Sequence, residues 1–196
     1  FYRGLAHYRL SQYAAAVADL TQHLQAQPDD ARAYYNSGLA KFAQGDVSSA
    51  IADYHQALLY AADLNVIERS NLYNDLGVAY LASGSKPAET LLALDQAVAL
   101  DTSDTRAYFN RGCACHEQGH YAAALRDFDR VIALNPHHAE TYFNRGAVKQ
   151  QLGNLEGAMT DYQAAFTQFQ QQGNLDGAQR AKLRLQQMQQ PRQAIG

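Results

Sequence analysis

Three stretches of the chain place apolar residues at i, i+4 and i+7 with mostly polar residues between them. They are Ala50, Tyr54 and Ala57, then Ala124, Phe128 and Val131, then Ala158, Tyr162 and Ala165. That spacing keeps to one side of a helix. Ahead of each stretch an aromatic and a glycine stand four apart, as in Tyr34 with Gly38, Tyr108 with Gly112 and Tyr142 with Gly146, again sharing a helical face. A second glycine, Gly45, Gly119 or Gly153, falls between the two helices, where the chain must turn tightly. The pattern predicts helix hairpins. One hairpin cannot bury its own apolar face, so successive hairpins must stack.

The pattern also recurs. Glycines fall at Gly4, Gly38, Gly77, Gly112 and Gly146, with gaps of 34, 39, 35 and 34 residues. The second series, Gly45, Gly84, Gly119 and Gly153, follows seven residues later in all but the first case. Ala33-Tyr34-Tyr35-Asn36-Ser37-Gly38 matches Ala107-Tyr108-Phe109-Asn110-Arg111-Gly112 and Thr141-Tyr142-Phe143-Asn144-Arg145-Gly146. A glycine inside a helix costs about 1 kcal/mol against alanine, so close packing of a neighbouring helix must recover that cost. Pro28 and Pro136 each close a unit. The resulting division is a truncated unit at 1–30, then 31–64, 70–104, 105–138 and 139–172. The middle unit is irregular: Asn65 to Arg69 should lengthen a helix or a loop, and Pro87 fits a helical first turn with Ser85 as its cap. Beyond Ala165 the chain turns glutamine-rich and keeps Leu183, Leu185 and Met188 among polar residues. We expect a capping helix over 173–190, with a partner-binding amphipathic helix as the other reading.

Composition narrows the classes. Thirty-five alanines and 21 glutamines, with Val, Ile and Thr sparse, fit an all-α fold and disfavour sandwiches, barrels and α/β sheets. Sixteen basic against 19 acidic residues give a net charge of −3, too balanced for a polybasic nucleic-acid surface. No apolar run approaches the roughly 18 residues of a membrane span. Cys113 and Cys115, two apart on one helix, point in different directions and should not bridge each other. The chain starts at Phe1 without a methionine, which reads as a fragment. A cytoplasmic setting is favoured, and a targeting segment absent from the fragment could change it.

The repeat resembles the tetratricopeptide repeat family, whose unit has about 34 residues, in its multi-repeat bacterial form. Tyr108, Gly112, Ala124, Phe128, Val131 and Pro136 fill the family pattern in one unit. Tyr142, Gly146, Ala158, Tyr162 and Ala165 fill it in the next, and Tyr34, Gly38, Ala50, Tyr54 and Ala57 in an earlier one. Lys41, Cys115 and Lys149 stand where the family carries a large apolar residue, and His23 where it carries a small one. The resemblance implies a right-handed superhelical solenoid whose concave face is lined by the first helix of every unit.

By that resemblance the groove would carry Arg32, Tyr35 and Asn36, then Asn74 and Asp75, then Arg106, Phe109, Asn110 and His116, then Phe143 and Asn144. Aromatic rings supply contact area at low entropy cost, and amides both donate to and accept from a peptide backbone. Tyr35, Phe109 and Phe143 are expected to be exposed, whereas Tyr34, Tyr73, Tyr108 and Tyr142 should belong to the core. Asn36, Asn110 and Asn144 share one register position, which Asp75 takes in the middle unit. They look like the asparagine ladder that holds a ligand backbone in some family members, or else they satisfy neighbouring turns. The two-carboxylate clamp known in the family does not fit, because its lysines are missing. Cys113, His116 and His120 are too few to make a metal site, and nothing orients His116 as a base. No metal, cofactor or catalysis is expected. The implied role is a non-catalytic scaffold for a protein or extended peptide, without nucleic acid. The alternatives are self-association through the array ends, or a presenting arm of a larger enzyme, secretion or assembly complex.

Overall fold

The computed structural model describes residues 1–189. Gln190, the last residue of the expected cap, therefore lies outside the described residues. Among those described there are eleven α-helices and one short 3-10 turn, Ala61–Asp63. The helices are α1 (Tyr2–Arg9), α2 (Tyr13–Ala26), α3 (Ala31–Ala43), α4 (Val47–Leu59), α5 (Val66–Ser83) and α6 (Pro87–Leu100). They continue as α7 (Thr105–Glu117), α8 (Tyr121–Leu134), α9 (Ala139–Gln151), α10 (Leu155–Gln171) and α11 (Leu175–Gln189). The chain divides into two compact units, the first running from Phe1 to Asn110 and the second from Arg111 onward. In the first, α1 packs on α2, α3 on α4 and α5 on α6, and α2 and α4 pack on the helices that follow them. In the second, α8 packs on α9, α9 on α10 and α10 on α11. This all-α stacking of hairpins is the packing pattern of a solenoid.

The glycines explain how closely the hairpins pack. A Cβ placed on Gly38 would lie 2.5 Å from Tyr54 Cε1, and one on Gly112 would lie 2.7 Å from Phe128 Cε1. Both rings are fully buried. Leu20 and Leu94 fill the corresponding space over Gly4 and Gly77, and Tyr162 over Gly146. The last hairpin uses the same contact, with Phe169 of α10 against Gly177 of α11. Buried alanines flank the rings, among them Ala50, Ala57, Ala124, Ala158 and Ala165. Tyr34, Tyr73, Tyr108 and Tyr142 pack against these clusters while remaining partly buried.

The turn glycines are a separate case. Gly45 has φ +85° and nothing nearby, so its role is conformational. The first hairpin lacks that glycine, yet Ser11 occupies the equivalent place with φ 58°, a costly region for a residue with a Cβ. The irregular middle segment is built by a capping box. Glu68 N–H donates to Asn65 Oδ1 at 2.9 Å, and Asn65 N–H donates to Glu68 Oε2 at 2.8 Å. The extra residues thus become the first turn of α5, which reaches 18 residues. Pro87 opens α6 as expected, but Ser85 does not cap it. Lys86 is the N-cap residue and makes no side-chain cap, while Ser85 Oγ lies 3.2 Å from Ser83 Oγ.

A repeated ion pair flanks the glycine contacts at Gly4, Gly112 and Gly146, whereas at Gly77 the corresponding positions hold buried Leu76 and Ala93. Arg111 grips Asp127 through Nε and Nη2 at 2.9 and 2.7 Å, and Arg145 grips Asp161 at 2.9 and 2.6 Å. Arg3 and Asp19 form the same pair in α1 and α2. Where Ser37 replaces the arginine, Lys41 Nζ reaches Asp53 at 2.6 Å instead, and Lys149 joins Asp161 at 2.8 Å. The lysines that depart from the family pattern therefore carry ion pairs, while Cys115 is simply buried. Burial works against the Arg145 charge, but the bonds it donates to Asp161 and Asp129 outweigh it and raise its pKa.

Three substitutions test this packing and its turns by denaturant unfolding. Gly38→Ala is expected to lose about 1–3 kcal/mol despite the higher helix propensity of alanine, because the Tyr54 ring must move. Ser11→Gly should gain up to about 1 kcal/mol. Arg145→Ala should cost more stability than Arg3→Ala, because the Asp161 left behind is 2 % exposed and keeps only Lys149 as a cation; equal losses would show that Lys149 compensates the buried carboxylate.

Candidate functional site

In the first unit, α1, α3, α5 and the stretch 105–110 are the first helices of their hairpins. Their face opposite the glycine contacts carries most of the predicted groove residues. Tyr35 on α3 donates from its hydroxyl to Asp75 Oδ2 on α5 at 2.6 Å. Asn74 Nδ2 donates to Asp75 Oδ1 at 3.0 Å, and Asn110 Nδ2 donates to Asn74 Oδ1 at 2.8 Å. A continuous polar chain thus links three successive first helices. Arg32 on α3 holds Glu68 on α5 at 2.6 and 2.9 Å and also reaches the Asp63 carbonyl. Arg106 bonds Asp104 with both Nε and Nη2 and donates to Asn71 Oδ1 at 2.5 Å.

Burial pushes the Asp75 carboxyl above its ordinary range, although the bonds from Tyr35 and Asn74 and the more distant Arg106 oppose the shift. The Tyr35 phenol is raised by burial and by the Asp75 charge that it faces. Tyr54 and Tyr8 are raised in the same way, first by burial, with Asp75 contributing to both. One carboxylate is therefore bonded by Tyr35 of α3, and its charge reaches Tyr8 of α1 and Tyr54 of α4.

Several predicted residues behave differently from expectation. Tyr35, Phe109 and Phe143 are half-buried rather than exposed. A residue three positions before the packing glycine lies only about 60° from it around the helix, so its ring leans onto the seam between hairpin helices. Tyr35 accordingly lies 6.1 Å from the Tyr54 ring, and Phe143 lies 5.4 Å from Tyr162. Asn74 is buried, because Asn110 and Asp75 enclose its amide. Asn36 does not join the chain of amides; its Nδ2 turns back to the Arg32 carbonyl at 2.7 Å.

In the second unit, Asn144 Nδ2 donates to Cys113 Sγ at 3.4 Å. Burial pushes the Cys113 thiol up to about 12, so it is a proton-bearing, unreactive group at neutral pH. The His116 ring lies 6.0 Å from Tyr121. Arg180 of α11 lies over the Phe143 ring at 5.2 Å and bonds Glu140 at 2.7 Å, so the cap helix covers one edge of this face. Among the described residues, no group of three or more His, Cys, Asp or Glu is placed to hold a metal ion. Among them also, no helix is long and apolar enough to cross a membrane. Sequence reasoning missed the Tyr35–Asp75 bond; the one available signal was Asp75 in place of asparagine.

Models of the tetratricopeptide repeat match residues 3–66, 105–138 and 139–171. Among curated protein sequences nothing matches the chain significantly. Solved structures do. A crystal structure of MamA superposes with a TM-score of 0.78 at 18 % identity, covering 87 % of this chain and 96 % of that one. MamA 41-end from Desulfovibrio magneticus RS-1 gives 0.78 at 16 %, covering 86 % and 92 %. YrrB, described as a TPR protein with an unusual peptide-binding site, gives 0.75 at 25 %, covering 92 % and 88 %.

The Asp75 environment sets a pH dependence. A carboxyl whose folded pKa is raised contributes most below its unfolded value, and that contribution is lost as pH rises through the folded value. Asp75→Asn should therefore gain on the parent protein as pH climbs from about 3 to 7. Unfolding free energies measured across that range check the sign, and a constant difference would contradict it.

Proposed function

Because the chain belongs to the tetratricopeptide repeat family, we propose that it is a non-catalytic scaffold that binds a protein or an extended peptide on the inner face of its first helices. The observation that carries this reading is the chain of side-chain contacts across that face in the first unit, from Tyr35 through Asp75 and Asn74 to Asn110. It pre-organises a polar and aromatic surface, which lowers the entropy cost of binding. YrrB, at 25 % identity, is a relative whose description names a peptide-binding site.

The proposed contact residues are Arg32, Tyr35, Asn36, Asp75, Arg106, Phe109 and Asn110 in the first unit, and His116, Phe143 and Asn144 in the second. Asn74 supports them from beneath. We place this face on repeats at 31–64, 70–104, 105–138 and 139–172, after a partial one at 1–30, as parts of one array. Self-association is the second reading, favoured by the exposure of Leu175 and Leu183 on α11.

Replacing Phe109 and Asn110 together with alanine should weaken binding of a confirmed partner by about tenfold or more, without loss of helical signal. Calorimetry on the parent and the double variant reads the change; unchanged affinity would remove this face from the binding site. A molar mass that stays monomeric across concentration would remove the self-association reading.

A further inference from the structure

The charges around the inner face of the first unit do not cancel. Arg32 is matched by Glu68, and Arg106 by Asp104. Asp75 is left over, and no Lys, Arg or His among the described residues forms an ion pair with it. Its two oxygens each accept one bond, from Tyr35 and from Asn74, and each keeps further acceptor capacity. Asp75 remains partly accessible on this face. Tyr35, which donates to it, packs 6.1 Å from the Tyr54 ring, and Tyr8 of α1 is partly buried and feels its charge.

A half-buried carboxylate with neutral donors is short of a charge partner, and an arriving cation meets a site whose desolvation has already been largely incurred. Aromatic rings beside it add attraction for a cation and shelter for its methylene stem. An anion would be repelled, and a neutral amide would leave the charge uncompensated. We propose that Asp75, held by Tyr35 and Asn74, is the receptor for a basic side chain, a lysine or arginine of an extended peptide lying along the first helices. This rests on the peptide-binding reading above and specifies its ligand. The arriving group bonds the free lone pairs of Asp75 while Asn74 and Tyr35 hold the carboxylate in place.

The test titrates the full chain with blocked alanine-based peptides carrying one central lysine, arginine or glutamine, followed by NMR of backbone and tyrosine signals. The lysine and arginine peptides are expected to shift Tyr8, Tyr35 and Asp75 and to bind about tenfold tighter than the glutamine peptide. Asp75→Asn should erase that preference. Raising salt from about 50 to about 500 mM should narrow it in the parent protein. Equal affinity for all three peptides, with shifts still on α3 and α5, overturns the cation receptor and leaves the peptide-binding face standing. Shifts confined to other surfaces, or no shifts at all, overturn both. Should Asp75→Asn fail to fold, the salt series on the parent decides: a preference that salt does not change overturns the proposal.

Discussion

The contact on which the rest of the structure depends is a bulky side chain seated over a glycine of the facing helix. Tyr54 over Gly38, Phe128 over Gly112 and Tyr162 over Gly146 are its aromatic forms, and Leu20 over Gly4 and Leu94 over Gly77 its aliphatic ones. A glycine inside a helix forfeits about 1 kcal/mol. Burying a ring or leucine that would otherwise face water returns about 1.5–3 kcal/mol, so the exchange is favourable only when the notch is filled. It also fixes rotation. Once the glycine points at its hairpin partner, every other residue of the first helix has an assigned direction.

That assignment produces two flanks. The residue just before the glycine turns to one side and meets an aspartate next to the bulky residue, as in Arg111 with Asp127 and Arg145 with Asp161. The residue three places before it leans to the other side, half onto the seam and half onto the inner face, as Tyr35 and Phe143 do. The same aromatic side chains thus pack the seam and border the face proposed for binding. A ring wedged against Tyr54 loses little entropy on binding, because it is already held. The ion pair on the opposite flank resists slippage between the helices, and its loss at Ser37 is offset by Lys41 one turn later.

What could be read from the sequence is what repeats. The helix pairs, the two glycine series and the buried alanines appear at a fixed period, so each position is supported by several copies. The insertion at Asn65 was legible in the 39-residue gap, but only the capping box in the structure decides that it lengthens a helix and not a loop. The inner-face bonds between helices were not legible, because Tyr35–Asp75 and Asn74–Asn110 join residues 40 and 36 positions apart whose partner differs from repeat to repeat. Ser11 was hidden for a related reason: the backbone keeps the left-handed turn although the residue that favours it is gone. Half-burial of Tyr35 followed from helix rotation, but it depended on which side the neighbouring ring approached.

The register position shared by Asn36, Asp75, Asn110 and Asn144 shows what a repeated residue does and does not imply. Asn36 bonds its own helix, Asp75 receives Tyr35, Asn110 reaches Asn74, and Asn144 meets Cys113. One position therefore has four outcomes, decided by the residue that the preceding or following hairpin offers. Positions that build the stack cannot vary without collapsing or opening a notch, so selectivity must come from those free to differ. Asp75 is the largest such difference, because it exchanges a neutral amide for a charge without moving the backbone that carries it. A solenoid that varies this position repeat by repeat changes the polar contacts along its first helices, and Asp75 is the place where that variation introduces a charge held only by neutral donors.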